Sequence, residues 1–303
     1  MSVARERIAT IYAAKKCSLV SGPQPAFSQV ARYLAARDHA ADRAFWATYL
    51  SGAEPLQLLN GARGDRERQP INTTHLGQVD LTSLAKRMRI PPSTLFLFAL
   101  AVGLRLLTDQ DDISFGLLLS GRTLPIAGIE KVIGPCINTT ICRAMLKDAQ
   151  TVQHSLMEFQ VNLDEVHERG YLGLNDLSSA AHVDAAAIVN ALAEYRNLPT
   201  SAGDEVASVS TDIFADTDLV GDDRANAPLM VSGGPDPSGG LRISATTDAS
   251  IMSEQDAKWL VNHVSNILAW MDRTSCKESL QQLDVVDDAQ FDAIMEWSVA
   301  PEA

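Results

Sequence analysis

The residues of this sequence that could do chemistry are concentrated near the middle of the chain. An apolar run at residues 113–119 is too short for a helix and has polar residues on both sides, which predicts a buried strand. Ser120, Gly121 and Arg122 follow it directly. Glycine permits a tight turn at that point, since it has no Cβ to clash. We therefore expect a hydroxyl and a guanidinium at the carboxyl end of this strand.

A second strand is predicted a short distance further on. Gly134-Pro135 interrupts the chain, because proline fixes φ and disfavours a helical residue before it. Residues 137–145 then form the strand, with Asn138 near its start. Polar, glycine-containing corners at strand ends are where open α/β sheets usually place their functional groups. The candidate site residues are therefore Ser120, Gly121, Arg122, Gly134, Pro135 and Asn138. Without the flanking motifs, a surface cation for Arg122 and a turn-capping amide for Asn138 are the favoured interpretations.

The four cysteines give no sign of a metal site or a disulfide framework. Cys17, Cys136, Cys142 and Cys276 are scattered and form no C-x-x-C pair. Zinc sites need clustered ligands, and disulfide frameworks are typical of small secreted chains. Cys136 and Cys142 lie in the central stretch, so a nucleophilic role is conceivable, but no motif pairs either with a histidine. Reduced thiols that pack as small apolar groups are the favoured interpretation.

Composition and charge exclude two classes of partner. The 303 residues carry a net charge of −13 and the sequence pI is about 4.8, whereas nucleic-acid binding needs a basic surface. The amino terminus is charged and lacks the apolar core of a signal peptide. The longest apolar run, residues 95–107, contains Arg105 and is too short to span a bilayer. We expect a soluble, cytoplasmic protein that binds neither nucleic acid nor membrane.

Periodicity predicts further elements along the chain. Helical spacing is found in some segments, and short apolar or alternating runs in others. The helix at residues 94–107 is apolar nearly all round, so we expect it to pack on both sides. Helices are predicted at residues 3–14, 27–50, 94–107, 151–164, 173–181 and 253–271, with Asp80 or Thr82 beginning another; strands are predicted at 71–79, 185–195, 206–214, and in a hairpin at 228–231 and 241–246.

The central stretch resembles the C-terminal half of nonribosomal peptide synthetase condensation domains. Those domains carry a segment D-hydrophobic-x-F-G-x-x-x-S-G-R, matched here by Asp112, Phe115, Gly116, Ser120, Gly121 and Arg122. They continue with G-I-E-x-hydrophobic-hydrophobic-G-P-x-hydrophobic-N-T-x-x-x-R, matched by Gly128, Ile129, Glu130, Gly134, Pro135, Asn138, Thr139 and Arg143. Both segments occur in the right order and at similar spacing, which makes the resemblance specific. It extends from about Ser2 to Trp297.

The resemblance implies an α/β fold of the chloramphenicol-acetyltransferase-like type, a mixed β-sheet flanked by helices that forms one lobe of a two-lobed domain. Residues 1–283 would be the C-terminal lobe, and residues 284–303 would begin a linker toward an adenylation domain. The family signature H-H-x-x-x-D-G belongs to the N-terminal lobe. None of the six histidines here lies in such a sequence. We therefore expect the N-terminal lobe, with its general-base histidine, to be absent from this chain.

Site roles, cofactor and partners follow from the same resemblance. Arg122 would pair with the aspartate of the signature at the lobe interface, Asn138 would face the reaction centre, and the other candidates would line the substrate tunnel or that interface. No residue of this chain would be catalytic or bind a metal. Phosphopantetheine would be presented by partner carrier proteins. The expected partners are peptidyl or acyl carrier domains, an N-terminal condensation lobe and an adenylation domain.

The implied parent activity is amide-bond formation between carrier-bound aminoacyl or peptidyl thioesters in secondary-metabolite biosynthesis, with this chain incomplete or inactive alone. Two alternatives stay open. One is a non-catalytic module that docks on a carrier protein or on another lobe, since a lone lobe would expose apolar surface. The other is a stand-alone acyltransferase of the same fold that uses coenzyme A, although the linker-like carboxyl end argues against it.

Overall fold

The computed structural model describes residues 26–58, 70–196, 227–236, 239–274, 276–283, 285–286, 291–292 and 295. Helices α1 to α8 occupy, in chain order, Phe27–Ala35, Ala40–Tyr49, Leu81–Met88, Pro92–Thr108, Val152–Arg169, Leu174–Ala181, Ala185–Ile188 and Glu254–Arg273. Strands β1 to β6 occupy Pro70–Gly77, Asp112–Leu119, Asn138–Met145, Ala191–Tyr195, Leu229–Pro235 and Leu241–Asp248. Short 3-10 turns lie at Ile129–Lys131 and Leu280–Gln282.

The six strands of the described residues form one mixed sheet in the order β1-β6-β5-β4-β2-β3. Strand β4 is parallel to both of its neighbours, β2 and β5. The remaining pairs are antiparallel. The carboxyl ends of β2, β4 and β5 therefore lie at the same edge of the sheet, and the candidate corner after β2 lies at that edge. A mixed sheet flanked by helices is the predicted fold class, which is confirmed.

Helix α4 is the centre of the core, as its all-round apolar pattern predicts. Every residue from Thr94 to Leu104 is buried. Gly103 allows α8 to approach closely, because a Cβ at that position would lie 3.3 Å from Val264. On its other side α4 packs against the sheet, where the rings of Phe96 and Tyr195 have centroids 5.8 Å apart.

Among the described residues no single helix is long and apolar enough to cross a membrane. Helices α3 and α4 reach that length and hydropathy only when they are taken together, and a 99° bend separates them.

The two faces of the sheet differ in what covers them. One face, called here the helix face, carries α4, α5 and α8, and the buried alternate residues of β1, β5 and β6 point toward it, whereas β2 and β3 are buried on both sides. Because successive strand residues point to opposite sides, the intervening side chains form the second face. One row of that face crosses all six strands and consists of Thr139, Leu118, Glu194, Ser232, Ser244 and Thr74.

The predicted helix over residues 27–50 is wrong in one respect, because it is two helices. The chain turns between α1 and α2, where Arg37 donates from Nε and Nη2 to the carboxylate of Asp42 at 3.0 and 3.2 Å. His39 Nδ1 lies 3.0 Å from the same carboxylate. Asp42 is almost fully buried, and a buried carboxylate must be paired. Arg37 and Asp42 are five residues apart and would not share a face of one continuous helix, so their contact needs the turn that the apolar pattern does not reveal.

The predicted strand over residues 185–195 is also partly wrong. Residues Ala185–Ile188 form the short helix α7, and only Ala191–Tyr195 form a strand. Asp184 explains the difference, since its carboxylate accepts a hydrogen bond from Ala187 N at 3.1 Å and so caps a helical turn. Alanine, which follows it three times, favours helix over strand.

The other predicted elements in the described ranges are confirmed, with ends that differ by a few residues. Asp80 is the N-cap of α3, Thr151 of α5 and Ser253 of α8, each through its side-chain oxygen. The predicted hairpin is the antiparallel pair β5 and β6, whose strands are longer than expected. The predicted helix at residues 3–14 and strand at 206–214 lie outside the described residues.

Candidate functional site at the corner of β2 and β3

Gly121 joins the two predicted strands at the corner. Its φ is +65°, in the region that favours glycine. A Cβ at this position would overlap the carbonyl oxygen of Cys136, so the backbones of the two segments touch here. In the β2–β3 register Leu119 pairs with Asn138. Gly121 and Cys136 lie two residues further along the same register. The turn residue of one motif segment thus lies against the other.

Arg122 holds the loop that connects the two strands. Its Nη1 donates to the carbonyl oxygens of Ile129 at 2.8 Å, Glu130 at 3.3 Å and Val132 at 3.0 Å. These three hydrogen bonds from one guanidinium nitrogen hold the 3-10 turn at Ile129–Lys131 against the start of the loop. Among the described residues, Arg122 forms no ion pair with a carboxylate. Its pairing with the aspartate of a signature outside this sequence stays a prediction.

Gly134 and Pro135 lie where helix α1 packs against the loop. A Cβ on Gly134 would come within 2.7 Å of the ring of Phe27, so only glycine lets the aromatic ring approach. Beneath this contact a small apolar cluster forms from Val30, Leu124, Ile129 and Val132, separate from the main core. Pro135 and Ile137 are exposed on the other side, and Ser120 is exposed beside them.

Asn138 begins β3 and points toward the helix face. Its Nδ2 donates to the carbonyl oxygens of Gly170 at 2.6 Å and Leu172 at 3.2 Å. Trp46 Nε1 donates to the preceding carbonyl, that of Arg169, at 3.0 Å. The amide nitrogen of Asn138 therefore caps the end of α5, which the turn-capping interpretation anticipates. A role of Asn138 at the reaction centre remains a prediction.

We expect Asn138→Ala to lower the free energy of unfolding by about 1–3 kcal/mol, because it leaves two carbonyls of the α5 end without their donor. The neighbouring change Thr139→Ala is the control. Thr139 points to the second face, and its replacement should cost at most about 1 kcal/mol. Urea denaturation of both variants measures the difference. Equal losses would contradict the capping role.

Arg143 joins the two motif segments at their other end. Its Nε and Nη2 donate to the two carboxylate oxygens of Asp112 at 2.7 and 2.6 Å. Its Nη1 donates to the carbonyl oxygens of Tyr49 at 2.7 Å and Ser51 at 2.9 Å. The pKa of Arg143 is raised, chiefly by the hydrogen bond to Asp112. Both residues were recognised in the motifs, but the sequence did not indicate that they form a pair.

The tyrosine that ends α2 protects the free edge of β3. Strand β3 is the last of the sheet, and its edge could pair with another chain. The hydroxyl of Tyr49 accepts from Arg143 N at 2.7 Å and donates to Arg143 O at 3.1 Å. Burial raises the pKa of Tyr49 well above its usual value, which keeps the hydroxyl proton in place for this bond. The helix thus satisfies the outward backbone groups of the strand at this point.

The cysteines of the central stretch differ in access. Cys142 is 1% exposed, and burial raises the pKa of its thiol. The thiolate is the reactive form, so Cys142 packs as a small apolar group, as expected. Cys136 is half-buried at the corner. Among the described residues, no group of three or more histidine, cysteine, aspartate or glutamate side chains is arranged to hold a metal ion.

Alkylation should separate these thiols. We expect iodoacetamide to modify Cys136 in the native protein and to leave Cys142 and Cys276 unmodified until the chain is unfolded, since burial raises the pKa of both of the latter. Peptide mapping by mass spectrometry before and after addition of denaturant measures this. Native modification of Cys142 at the rate of Cys136 would show that the thiol is accessible and would reopen a nucleophilic role.

The family model for the condensation domain matches residues 1–295, nearly the whole chain. The chain belongs to the condensation-domain family. Its curated relatives include the nonribosomal peptide synthetase agiA of Aspergillus flavus, 31% identical over 183 residues that make up 59% of this chain and 2% of that protein. Malformin synthetase mlfA of Aspergillus homomorphus is 21% identical over 92% of this chain and 6% of its own length. This condensation-domain chain thus spans only a few per cent of the length of these relatives.

Solved structures agree in fold. The condensation domain of the monacolin K polyketide synthase MokA superimposes with a TM-score of 0.69 and 14% identity, over 92% of this chain and 68% of that one. The first condensation domain of the calcium-dependent antibiotic synthetase, in complex with a substrate analogue, gives a TM-score of 0.66 and 14% identity, over 95% and 64%. At these identities the likeness establishes the fold. In both cases the matched part is about two thirds of the known chain.

Three of the six histidines in this condensation-domain chain contact polar side chains other than Asn138, and the other three lie on helices or at a helix end. His39 contacts Asp42, His75 Nε2 lies 3.0 Å from Ser265 Oγ, and His154 Nε2 lies 4.0 Å from Glu158. The other three are His167 on α5, His182 at the end of α6 and His263 on α8. None of the hydrogen bonds described for Asn138 involves a histidine.

Proposed function

We propose that this chain forms the C-terminal lobe of a nonribosomal peptide synthetase condensation domain and takes part in amide-bond formation between carrier-bound thioesters. The observation that carries the proposal is the condensation-domain match over residues 1–295. The fold gives it physical support. The two motif segments are joined at Gly121 and Cys136, in the corner at the carboxyl edge of the parallel strands, and again at the opposite end of β2 through Asp112 and Arg143.

The chemistry that the corner residues can supply is limited. An amine attacks a thioester only when deprotonated and aligned, and a positioned base is worth roughly 10²–10⁴ in rate. A guanidinium group cannot act as a base, and one terminal nitrogen of Arg122 is engaged with loop carbonyls. The amide of Asn138 barely titrates. We infer that these residues shape the reaction cleft and that the base is the histidine of an H-H-x-x-x-D-G sequence, which these 303 residues do not contain.

The partners follow from this role. Carrier domains would present both substrates on phosphopantetheine arms, whose thiol holds the acyl group as an activated thioester. An N-terminal lobe would meet the corner through Arg122. We propose residues 1–283 as the lobe and 284–303 as the start of a linker to an adenylation domain, all in the cytoplasm. Val285, just inside this linker, is buried, and its carbonyl accepts a hydrogen bond from Asn266 Nδ2 at 3.0 Å, so the start of the linker is anchored on the lobe.

The test is to incubate the purified chain with two loaded carrier proteins, with and without a separately expressed N-terminal lobe that carries the H-H-x-x-x-D-G sequence. Intact mass spectrometry reads the dipeptidyl thioester on the acceptor carrier. We expect product only when the second lobe is supplied. Replacing the second histidine of the supplied lobe with alanine is the control and should abolish product. Carrier binding without product in the complemented reaction would favour the non-catalytic docking module.

Turnover of acyl-coenzyme A by the chain alone would support the third alternative, a stand-alone acyltransferase. The relative agiA, described above, is a nonribosomal peptide synthetase by name. We therefore favour amide-bond formation over that alternative.

A further inference from the structure

The row of side chains across the second face contains one carboxylate, that of Glu194. It lies on β4, the middle strand of the parallel set β2, β4 and β5, one residue before the strand ends. Ligands of α/β sheets usually bind outside the carboxyl ends of such strands. Glu194 was not singled out by any motif in the sequence. Its position therefore becomes visible only in the assembled sheet.

The surroundings of Glu194 are partly apolar and partly hydroxylic. Leu118 lies next to it on β2, one step beyond the pair Leu117 and Ala193, and Ser232 is its partner on β5. Ser244 and Thr74 continue the row, and their hydroxyl oxygens are 3.0 Å apart. The Glu194 side chain is only 15% exposed. A carboxylate so far removed from water requires a cation beside it.

The cation beside Glu194 in this structure is Arg196, which forms an ion pair with it through Nη2. The two side chains differ sharply in exposure, because that of Arg196 is 56% exposed. An arginine that is already largely hydrated loses little when it returns to water, whereas the carboxylate of Glu194 still needs a cation. An incoming ammonium can therefore replace Arg196 at a carboxylate that stays in place.

We propose that Glu194 binds the ammonium group of the amine-bearing substrate on the second face of the sheet, in exchange for Arg196. The amine of an aminoacyl thioester is protonated at neutral pH until it reacts, so a carboxylate matches it in charge. Glu194 accepts the N–H bonds of the ammonium, and Leu118 excludes water on one side. This inference rests on the proposed function, because only a condensation reaction brings such an amine to this lobe.

The probe for this site is glycyl-aminopantetheine, in which an amide replaces the reactive thioester, with its N-acetylated form as the uncharged reference. Calorimetry on the full chain at low ionic strength measures both affinities. We expect the free amine to bind about tenfold more tightly than the acetylated form, as for hydrogen bonds to charged groups. Glu194→Gln should remove that preference and leave the affinity for the acetylated probe unchanged.

Arg196→Gln provides the second, opposite result. It removes the competing cation and should strengthen binding of the free amine several-fold, whereas a purely structural ion pair would show no such gain. Glu254→Gln is the matched control, since Glu254 pairs with Lys258 at 2.7 Å on the exposed start of α8, the helix that packs on the helix face of the sheet. We expect it to bind both probes like the unmodified chain.

Equal affinity of the unmodified chain for the two probes, or no binding of either, would overturn the proposal. So would an unchanged preference in Glu194→Gln. These outcomes are separate from those of the proposed function. A complemented reaction that forms dipeptidyl product with the same KM for the amine in Glu194→Gln would refute the inference alone. Conversely, Glu194→Gln could lose the preference for the free amine while the unmodified chain, supplied with the N-terminal lobe, forms no product. That result would refute the condensation role alone.

Discussion

Gly121→Ala is expected to lower the free energy of unfolding by about 3–5 kcal/mol, the sum of a strained backbone and an overpacked contact. Its φ of +65° is unfavourable for alanine. The added methyl would also overlap the carbonyl oxygen of Cys136, which belongs to backbone and cannot rotate away. A loss of this size is a large part of the stability of an ordinary domain. Urea denaturation followed by tryptophan fluorescence measures it.

Gly52→Ala separates the two penalties. Gly52 has a φ of +73°, but a Cβ there would meet nothing within 4 Å. We expect this variant to lose only the strain energy, about 1–2 kcal/mol. If both variants lost the same free energy of unfolding, the contact between the β2 turn and Cys136 would contribute nothing to stability. The two segments would then not be held rigidly at this corner.

Arg143→Met is expected to lower the free energy of unfolding by about 3–5 kcal/mol, as for the loss of one partner of a buried ion pair. The Arg143 side chain is 12% exposed. Its removal leaves the carboxylate of Asp112 and the carbonyls of Tyr49 and Ser51 without their donor. The end of α2 would then separate from the β2–β3 edge, and Tyr49 would lose its fixed place there.

The exposed pair of Arg87 and Asp272 is the control for this prediction. Its N–O distance of 2.7 Å is similar, but the two side chains are 53% and 41% exposed. Arg87→Met should cost at most about 1 kcal/mol, since water screens such pairs. A double-mutant cycle with Asp112→Asn isolates the coupling between Asp112 and Arg143. A coupling energy near zero would show that Arg143 acts through the carbonyls rather than through the carboxylate.

Local patterns were sufficient for much of the fold. The apolar helix α4, the strand β2 and the capped starts of α3 and α8 follow from spacing and from single capping residues, because these effects operate within a few residues of chain. The same patterns failed at the turn between α1 and α2 and at α7. In both places a polar side chain, Asp42 or Asp184, overrides the apolar periodicity through contacts that periodicity does not record.

The sequence by itself determined the family and the candidate corner, because the glycines, Arg122 and Asn138 occur in two ordered motif segments. Only the tertiary structure decided what these residues contact. Asn138 caps α5 and Arg143 binds Asp112 because the chain brings together residues about thirty positions apart. Glu194 gains its neighbours only from the parallel pairing of strands that are distant in sequence. Contacts across a sheet depend on strand order and register, and these are set by the packing of the whole core.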